Sequence, residues 1–161
     1  MKKLLLGVSI LVPFTLAAAV HTTRPQDDDA AQEAREEAFA KLLTGARLTG
    51  IFTLDGAPDA PPQKDSYTIK RAEHVDGDQW LIESLIEYGD HKVEVPLYFD
   101  VLWAGETPVM TLDQVAVPGL GTFDARVLFH GTSYAGVWNG KDHGGAMAGK
   151  VERAPTAEKP R

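Results

Sequence analysis

The chain has 161 residues, 43% of them hydrophobic, and a formal net charge of -7. This length is enough for one globular domain, and the acidic balance argues against nucleic acid and anionic membrane as partners, since both need a basic surface. The chain contains no cysteine, which excludes disulfides, thiolate nucleophiles and thiolate metal ligands.

The first 19 residues have the pattern of a signal peptide. Lys2 and Lys3 form a basic start, residues 4–16 are an apolar run too short to span a bilayer comfortably, and residues 17–19 are alanines suited to a cleavage site. The sequence therefore predicts export to the periplasm or the extracellular medium. The mature chain would begin near Val20, have a net charge of about -9 without the two lysines, and have no stable membrane span.

An N-terminal helix is predicted at 30–44, after a flexible acidic spacer at 20–29. Asp29 stands at the N-cap position, and Gly45 follows the last helical residues, where glycine commonly ends a helix. A helix this short is marginal alone, so its last turn should dock on the main body. Three apolar residues would make this contact: Phe39, Leu42 and Leu43.

The segment 46–153 reads as a β domain, followed by a disordered tail at 154–161. The clearest period-2 alternation is at 92–103, where every second residue is apolar. These residues form the face predicted to point inward: Val93, Val95, Leu97, Phe99, Val101 and Trp103. The run 123–129 alternates in the same way. Weaker strands are predicted at 47–54, 66–74, 79–88, 107–112, 132–138 and 146–152, with loops at 56–65 and 113–121.

The predicted fold class is all-β. Eight short strands with tight connections and no crossover helix favour an eight-stranded antiparallel up-and-down barrel, similar in architecture to lipocalins and avidins. An even strand count lets the first and last strands pair and close the barrel. A two-sheet sandwich is the alternative. The helix enters the first strand from the bottom end, so we expect it to cap that end.

A meander also sorts the candidate site residues between two ends. The top end receives His91, Asp113, Asp142 and His143, which we predict to frame a mouth, and the bottom end receives His74 and His130. A strand of about seven residues spans roughly 23 Å, so one metal ion cannot take ligands from both ends. The spacing matches no metal motif, and we predict neither a metal site nor a cofactor.

The barrel interior should be lined by large aromatic side chains. These residues are the candidate ligand contacts, with simple core packing as the alternative: Phe99, Trp103, Phe123, Phe129 and Trp138.

Catalytic motifs are not apparent in the sequence. Ser66, Ser84 and Ser133 lack the Gly-x-Ser-x-Gly pattern. Glu83 and Glu87 share one strand face, which is more typical of an outer surface than of paired acid–base catalysts. Asp124 and Arg126 suggest a surface ion pair.

Two segments, residues 48–52 (LTGIF) and 134–138 (YAGVW), repeat a Gly-x-aromatic pattern. The first is similar to the opening strand of lipocalin- and avidin-type barrels, where the aromatic residue closes one barrel end. The alternative is that glycine relieves crowding in a bent strand.

Longer strings cover residues 39–152: FAKLLTGA, LTGIF, DSYTI, WAGETPV, PGLGTF, YAGVW and HGG. They resemble a family of small exported bacterial proteins of unknown function, and this resemblance implies no catalytic residues.

Three functions remain open at this point. The first is a non-enzymatic barrel that binds a small, largely apolar molecule. The second is an envelope interaction or structural protein with a filled barrel and a partner protein. The third is a hydrolase, disfavoured by the missing motifs.

Overall fold

The computed structural model describes residues 25–57 and 59–153. The predicted leader (1–19), residues 20–24 of the predicted spacer and the predicted tail (154–161) lie outside them. One helix precedes eight strands: α1 (Pro25–Leu43), β1 (Ala46–Phe52), β2 (Gln63–Asp76), β3 (Gln79–Tyr88), β4 (His91–Ala104), β5 (Thr107–Val117), β6 (Gly121–His130), β7 (Ser133–Asn139) and β8 (Gly144–Arg153).

The eight strands form a closed barrel in sequence order. Each strand pairs antiparallel with its neighbour, and β1 also pairs with β8, with Ala46 opposite Arg153 and Phe52 opposite Met147. Closure gives every strand two hydrogen-bonded neighbours and removes the exposed sheet edges. The predicted all-β up-and-down barrel is confirmed, and the sandwich alternative is wrong.

Three element boundaries differ from the predicted ones by three residues or more. The helix begins at Pro25 rather than at residue 30, because proline suits the first helical position, where no intrahelical N–H bond is needed. Strand β2 begins at Gln63, three residues before its predicted start. Strand β5 continues to Val117 through a bulge, where Gln114 has φ of 52° and the register with β6 shifts.

The alternation in β4 separates the inside of the barrel from the outside. Val95, Phe99 and Val101 are 2%, 5% and 0% exposed, whereas Tyr98 and Leu102 are 54% and 45% exposed. The period-2 pattern of the sequence thus predicts the face of each of these residues correctly.

The helix covers the bottom end of the barrel. The Phe39 ring meets those of Trp80, Trp103 and Phe129 edge to face, with centroids 5.4, 6.1 and 5.2 Å apart. Leu43 is 1% exposed. These contacts place α1 beside the β4–β5 and β6–β7 turns, as predicted, and at the end opposite residues 53–57, 59–62 and 140–143.

Hydrogen bonds fix the end of the helix to the barrel. Gly45, in the left-handed region with φ of 71°, ends α1 and donates its N–H to the Ile69 carbonyl oxygen. The N–H of Ala72 donates to Thr44 Oγ1 over 3.1 Å. Arg153, the last residue of β8, donates to the carbonyl oxygens of Thr44 and Lys41.

A row of apolar residues crosses the outer surface at one level of the strand register. Successive register partners across six strands are Leu102, Val109, Leu128, Ala135, Ala148 and Ile51. Leu102, Leu128 and Ile51 are each 45% exposed, so this row is a surface feature and not part of the core.

Candidate ligand-binding site

The barrel encloses a cavity of about 470 Å³ between the helix-covered bottom and the top loops. This volume lies within the range of about 300–1,000 Å³ that is typical of small-molecule sites. Every strand contributes side chains to it, and most of them are apolar. Representative contributors are Leu48, Ile82, Leu97, Met110, Val127 and Met147.

The predicted interior aromatic residues divide into two groups. Four line the cavity: Phe99, Phe123, Phe129 and Trp138. The placement of Trp103 as a cavity residue is wrong. Its ring packs against Phe39 of the helix, and the Arg35 guanidinium lies 5.4 Å from its centroid. Trp103 thus packs against the helix and does not line the cavity, which the alternation of β4 alone could not reveal.

The mouth of the cavity is a ring of aromatic side chains at the top end, comprising Phe52, Tyr88, Phe123, Trp138 and His143. The Trp138 centroid lies 5.8 Å from that of Phe52, 6.2 Å from that of Phe123 and 5.3 Å from that of His143. Phe52 and Trp138 are the aromatic residues of the two Gly-x-aromatic segments. The two segments therefore meet at one barrel end.

Three residues predicted to frame the mouth, His91, Asp142 and His143, differ in whether they line the cavity. His143 lines the cavity. His91 stacks on the Tyr88 ring at 4.8 Å, is exposed and does not line the cavity. Asp142 is exposed in the β7–β8 connection and is also outside the cavity lining. Of these three predicted mouth residues, the structure brings only His143 to the cavity.

Asp113 belongs to the outer surface, and its predicted place in the mouth is wrong because β5 continues past it. Its carboxylate accepts a hydrogen bond from Arg126 over 2.6 Å. The predicted Asp124–Arg126 pair is replaced by this one. Asp124 instead accepts bonds from the Gln114 N–H and side-chain amide over 2.8 and 2.7 Å, which lower the pKa of Asp124.

One row of the strand register carries the polar centre of the cavity. Tyr134, Gly149, Gly50, Asp65 and Tyr88 are successive partners across β7, β8, β1, β2 and β3. A Cβ atom at Gly149 would lie 2.5 Å from Tyr134 Oη, and one at Gly50 would overlap the same oxygen. The two glycines therefore leave the space that the Tyr134 side chain fills on its way toward Asp65.

Asp65 and Tyr134 are buried, with 7% and 3% of their surfaces exposed. The Tyr67 hydroxyl donates to Asp65 Oδ2 over 2.8 Å. Three further polar atoms in the cavity wall are buried without a hydrogen-bond partner among the described residues: Asp65 Oδ1, Tyr134 Oη and Trp138 Nε1. Buried polar groups are normally paired, so unpaired ones at a cavity point to a ligand.

Burial determines the direction of the pKa shifts of Asp65, Tyr67 and Tyr134. Desolvation raises the pKa of Asp65, opposed by the hydrogen bonds from Tyr67 and from the Asp65 backbone N–H. Desolvation and the nearby Asp65 charge raise the pKa of both Tyr67 and Tyr134. Both phenols therefore remain protonated at neutral pH and can act as hydrogen-bond donors.

The two histidines at the bottom end, His74 and His130, do not line the cavity. His74 Nδ1 lies 3.1 Å from Glu36 Oε2 of the helix, and His74 Nε2 lies 2.7 Å from the Gly77 carbonyl oxygen. His130 is exposed at the end of β6. Within residues 25–57 and 59–153, no group of three or more His, Asp or Glu side chains is placed to hold a metal ion.

Glu83 and Glu87 lie outside the cavity lining and form ion pairs on the outer surface. Glu83 lies 3.8 Å from Arg71. Glu87 accepts a bond from Lys92 over 3.0 Å, and this bond, aided by Ser66, lowers the pKa of Glu87. Their positions agree with the outer-surface interpretation of the sequence.

Sequence reasoning missed Asp65, Tyr67 and Tyr134. Asp65 fell in the predicted loop 56–65, and without the β1–β2 register nothing connected it to Tyr134. The usable signal was the alternation of Asp65, Tyr67 and Ile69, which continues the inner face of β2 toward the top.

Comparison with known proteins finds no matching family model and no similar curated protein. In the part of the chain that the structure describes, no helix is both long and apolar enough to cross a membrane.

Proposed function

We propose that the protein is a non-enzymatic binding module that holds one small, largely apolar molecule inside its barrel. An eight-stranded barrel either fills its interior with side chains or accommodates one small ligand. The cavity of about 470 Å³, with its apolar walls and aromatic mouth, favours the second arrangement over the filled barrel. This cavity is the observation that carries the proposal.

The place of action that we propose is the periplasm or the extracellular medium. The support is the leader-like pattern of residues 1–19. The resemblance to small exported bacterial proteins agrees with this location, and we propose membership in that family on the same strings of residues. The bound molecule would then be carried or stored outside the cytoplasm.

The first test is native mass spectrometry of the protein purified from its natural host. We expect the native spectrum to show extra mass of small-molecule size, at one equivalent per chain, that disappears in the denatured spectrum. A bare native mass would favour the filled-barrel alternative and count against a resident ligand.

A second test fills the cavity. The uncharged fluorescent probe N-phenyl-1-naphthylamine should bind the wild-type protein with increased emission. Ala125→Phe places a large ring in the cavity, whereas Ala135→Phe adds the same ring to the outer face of β7. We expect Ala125→Phe to abolish binding and Ala135→Phe to retain it, with circular dichroism verifying both folds. Equal binding by both variants would contradict an interior site.

The second candidate function is interaction with an envelope protein, and one observation favours it. The apolar row on the outer surface, with Leu102 and Leu128 each 45% exposed, could contact a partner. The same native spectrum distinguishes the candidates, because a partner would add the mass of a second polypeptide. Leu102→Lys with Leu128→Lys should remove such a partner and leave the cavity intact.

A further inference from the structure

We propose that the molecule held in the cavity carries a protonated amine that binds the Asp65 carboxylate, with its apolar body between the aromatic walls. This inference rests on the proposed function and specifies its ligand class. It starts from Asp65, an acidic residue with only 7% of its surface exposed and an inward-facing side chain.

The first step is charge balance. Among the described residues, the ionisable side chains that line the cavity are Asp65, His143 and three tyrosines, and no lysine or arginine lines it. Arg47, on the neighbouring strand, donates to Ser66 and lies 3.6 Å from Glu87 on the outer surface. A buried carboxylate without a cationic partner is unfavourable, and a cationic ligand would remove that penalty.

The second step is the direction of the hydrogen bonds. Asp65 Oδ2 already accepts from Tyr67, and its own backbone N–H also supports the ionised form. Oδ1 is buried without a partner and can accept another bond. An ammonium group has three donors and no acceptor, so one can reach Oδ1 and another can reach the Tyr134 phenol oxygen.

The third step is the surrounding surface. Three aromatic residues, Phe52, Tyr88 and Trp138, line the cavity with this polar centre, and the Phe52 centroid lies 6.4 Å from that of Tyr88 and 5.8 Å from that of Trp138. Aromatic rings have electron-rich faces. Such faces attract cations and accept apolar groups equally well. A carboxylate ligand would instead meet Asp65 without a compensating cation.

Three probes with the same apolar body test the proposal: 1-naphthylmethylamine, 1-naphthalenemethanol and 1-naphthoic acid, titrated by calorimetry at pH 7.5. We expect the amine to bind about tenfold or more tightly than the alcohol, because a hydrogen bond to a charged group is stronger than one between neutral groups. We expect no binding of the acid. An alcohol or acid that binds as tightly as the amine overturns the cation proposal while leaving the cavity function standing. Failure of all three, together with N-phenyl-1-naphthylamine, would overturn the proposed function itself.

The variant Asp65→Asn removes the carboxylate charge and keeps the size of the side chain. It should weaken amine binding by about tenfold or more and change alcohol binding by less than about threefold. Asp100→Asn removes the same charge from the exposed face of β4 and should change neither. Unchanged amine affinity in Asp65→Asn would contradict the proposal.

The wild-type protein supplies an independent readout if Asp65→Asn fails to fold. Primary amines, like the lysine side chain, stay protonated throughout the range pH 7.5 to 4. Acidification protonates the Asp65 carboxylate, while the phenols of Tyr67 and Tyr134, whose pKa values are raised, stay neutral. The other titratable side chains that line the cavity are Tyr88 and His143. We expect amine affinity to fall on acidification and alcohol affinity to change much less. Parallel pH profiles for amine and alcohol would count against Asp65 as the cation partner.

Discussion

The phenol oxygen of Tyr134 lies against the α-carbon of Gly50, so closely that a methyl group at residue 50 would overlap it. Tyr134 belongs to β7 and Gly50 to β1, two strands apart, and Gly149 of β8 lies between them in the register. The tyrosine therefore crosses the side-chain-free position of Gly149 and reaches that of Gly50, whose register partner on the next strand is Asp65. The glycines of the barrel wall thus make room for a polar centre inside a largely apolar cavity.

Gly50→Ala should destabilise the barrel by roughly 1–3 kcal/mol, because the added methyl group overlaps Tyr134 Oη and approaches the Ala148 carbonyl oxygen. Adding Tyr134→Phe should recover part of the loss, since it removes only the first overlap. Thr49→Ala, on the outer face of the same strand, is the control and should change the free energy of unfolding by less than about 0.5 kcal/mol. Urea unfolding measures all three variants, and wild-type stability in Gly50→Ala would contradict the described packing.

Phe39→Ala should destabilise the protein by about 3–5 kcal/mol, because the ring is 3% exposed and contacts three aromatic rings at the bottom of the barrel. The emission of Trp80 and Trp103 should shift to longer wavelength as water reaches them. Glu37→Ala, at an exposed position of the same helix, is the matched control. If Phe39→Ala proved no more disruptive than this control, the helix would not be a structural part of the barrel.

Stability should depend on pH through Asp65 in a definite direction. Burial raises the pKa of Asp65 above its ordinary value of 3.8, so the folded state binds this proton more tightly than the unfolded state. The associated stability is present below pH 3.8 and is lost as the pH rises through the folded-state pKa. Asp65→Asn should remove this loss, so the unliganded variant should be more stable than the wild-type protein at pH 7. Chemical unfolding across pH 3–8 measures the free energy of unfolding of both proteins. If Asp65→Asn were less stable than the wild-type protein at pH 7, the predicted direction of the effect would be wrong.

Asp124 should show the opposite dependence. Hydrogen bonds from Gln114 lower the pKa of Asp124 below its ordinary value of 3.8. Its contribution is therefore present above that pH and is lost as the pH falls through the folded-state pKa. Asp124→Asn should be less stable than wild type at pH 7, and the difference should shrink on acidification. Asp100→Asn is the control, and a pH-independent deficit in Asp124→Asn would point to packing in place of charge.

The mass of the exported protein tests the proposed leader. Denatured mass spectrometry should show a mature chain that begins near Val20, because three alanines precede that position. An intact mass corresponding to Met1–Arg161 after confirmed export would show that no cleavage takes place there.

The sequence alone predicts the barrel because the patterns that indicate it, residue alternation and short connections, are local. The alternation at 92–103 depends only on neighbouring residues, and it assigns the inner and outer faces of β4 as the structure has them. The even strand count and short connections then lead to closure and to the end at which the helix lies. The contacts of Phe39 and Leu43 follow from this topology.

The polar centre could not be predicted in the same way because it depends on register. Asp65 and Tyr134 are 69 positions apart in the chain, and they approach each other only through the pairing of β2, β1, β8 and β7. The position of Asp113 could not be predicted either, because it depends on the bulge at Gln114. This bulge carries β5 past the predicted loop and leaves Asp113 on the outer surface with Arg126, and no local pattern in residues 113–121 marks it.

The first strand of the barrel begins, and the last strand ends, on the side away from the mouth. Arg153, at the end of β8, is bonded there to the carbonyl oxygens of Lys41 and Thr44. A protein immobilised through either terminus, on a sensor chip or by fusion to another chain, would therefore present its aromatic opening to the solution. If the protein binds a small molecule as we propose, the same barrel would serve equally well as an attached receptor and as a free carrier.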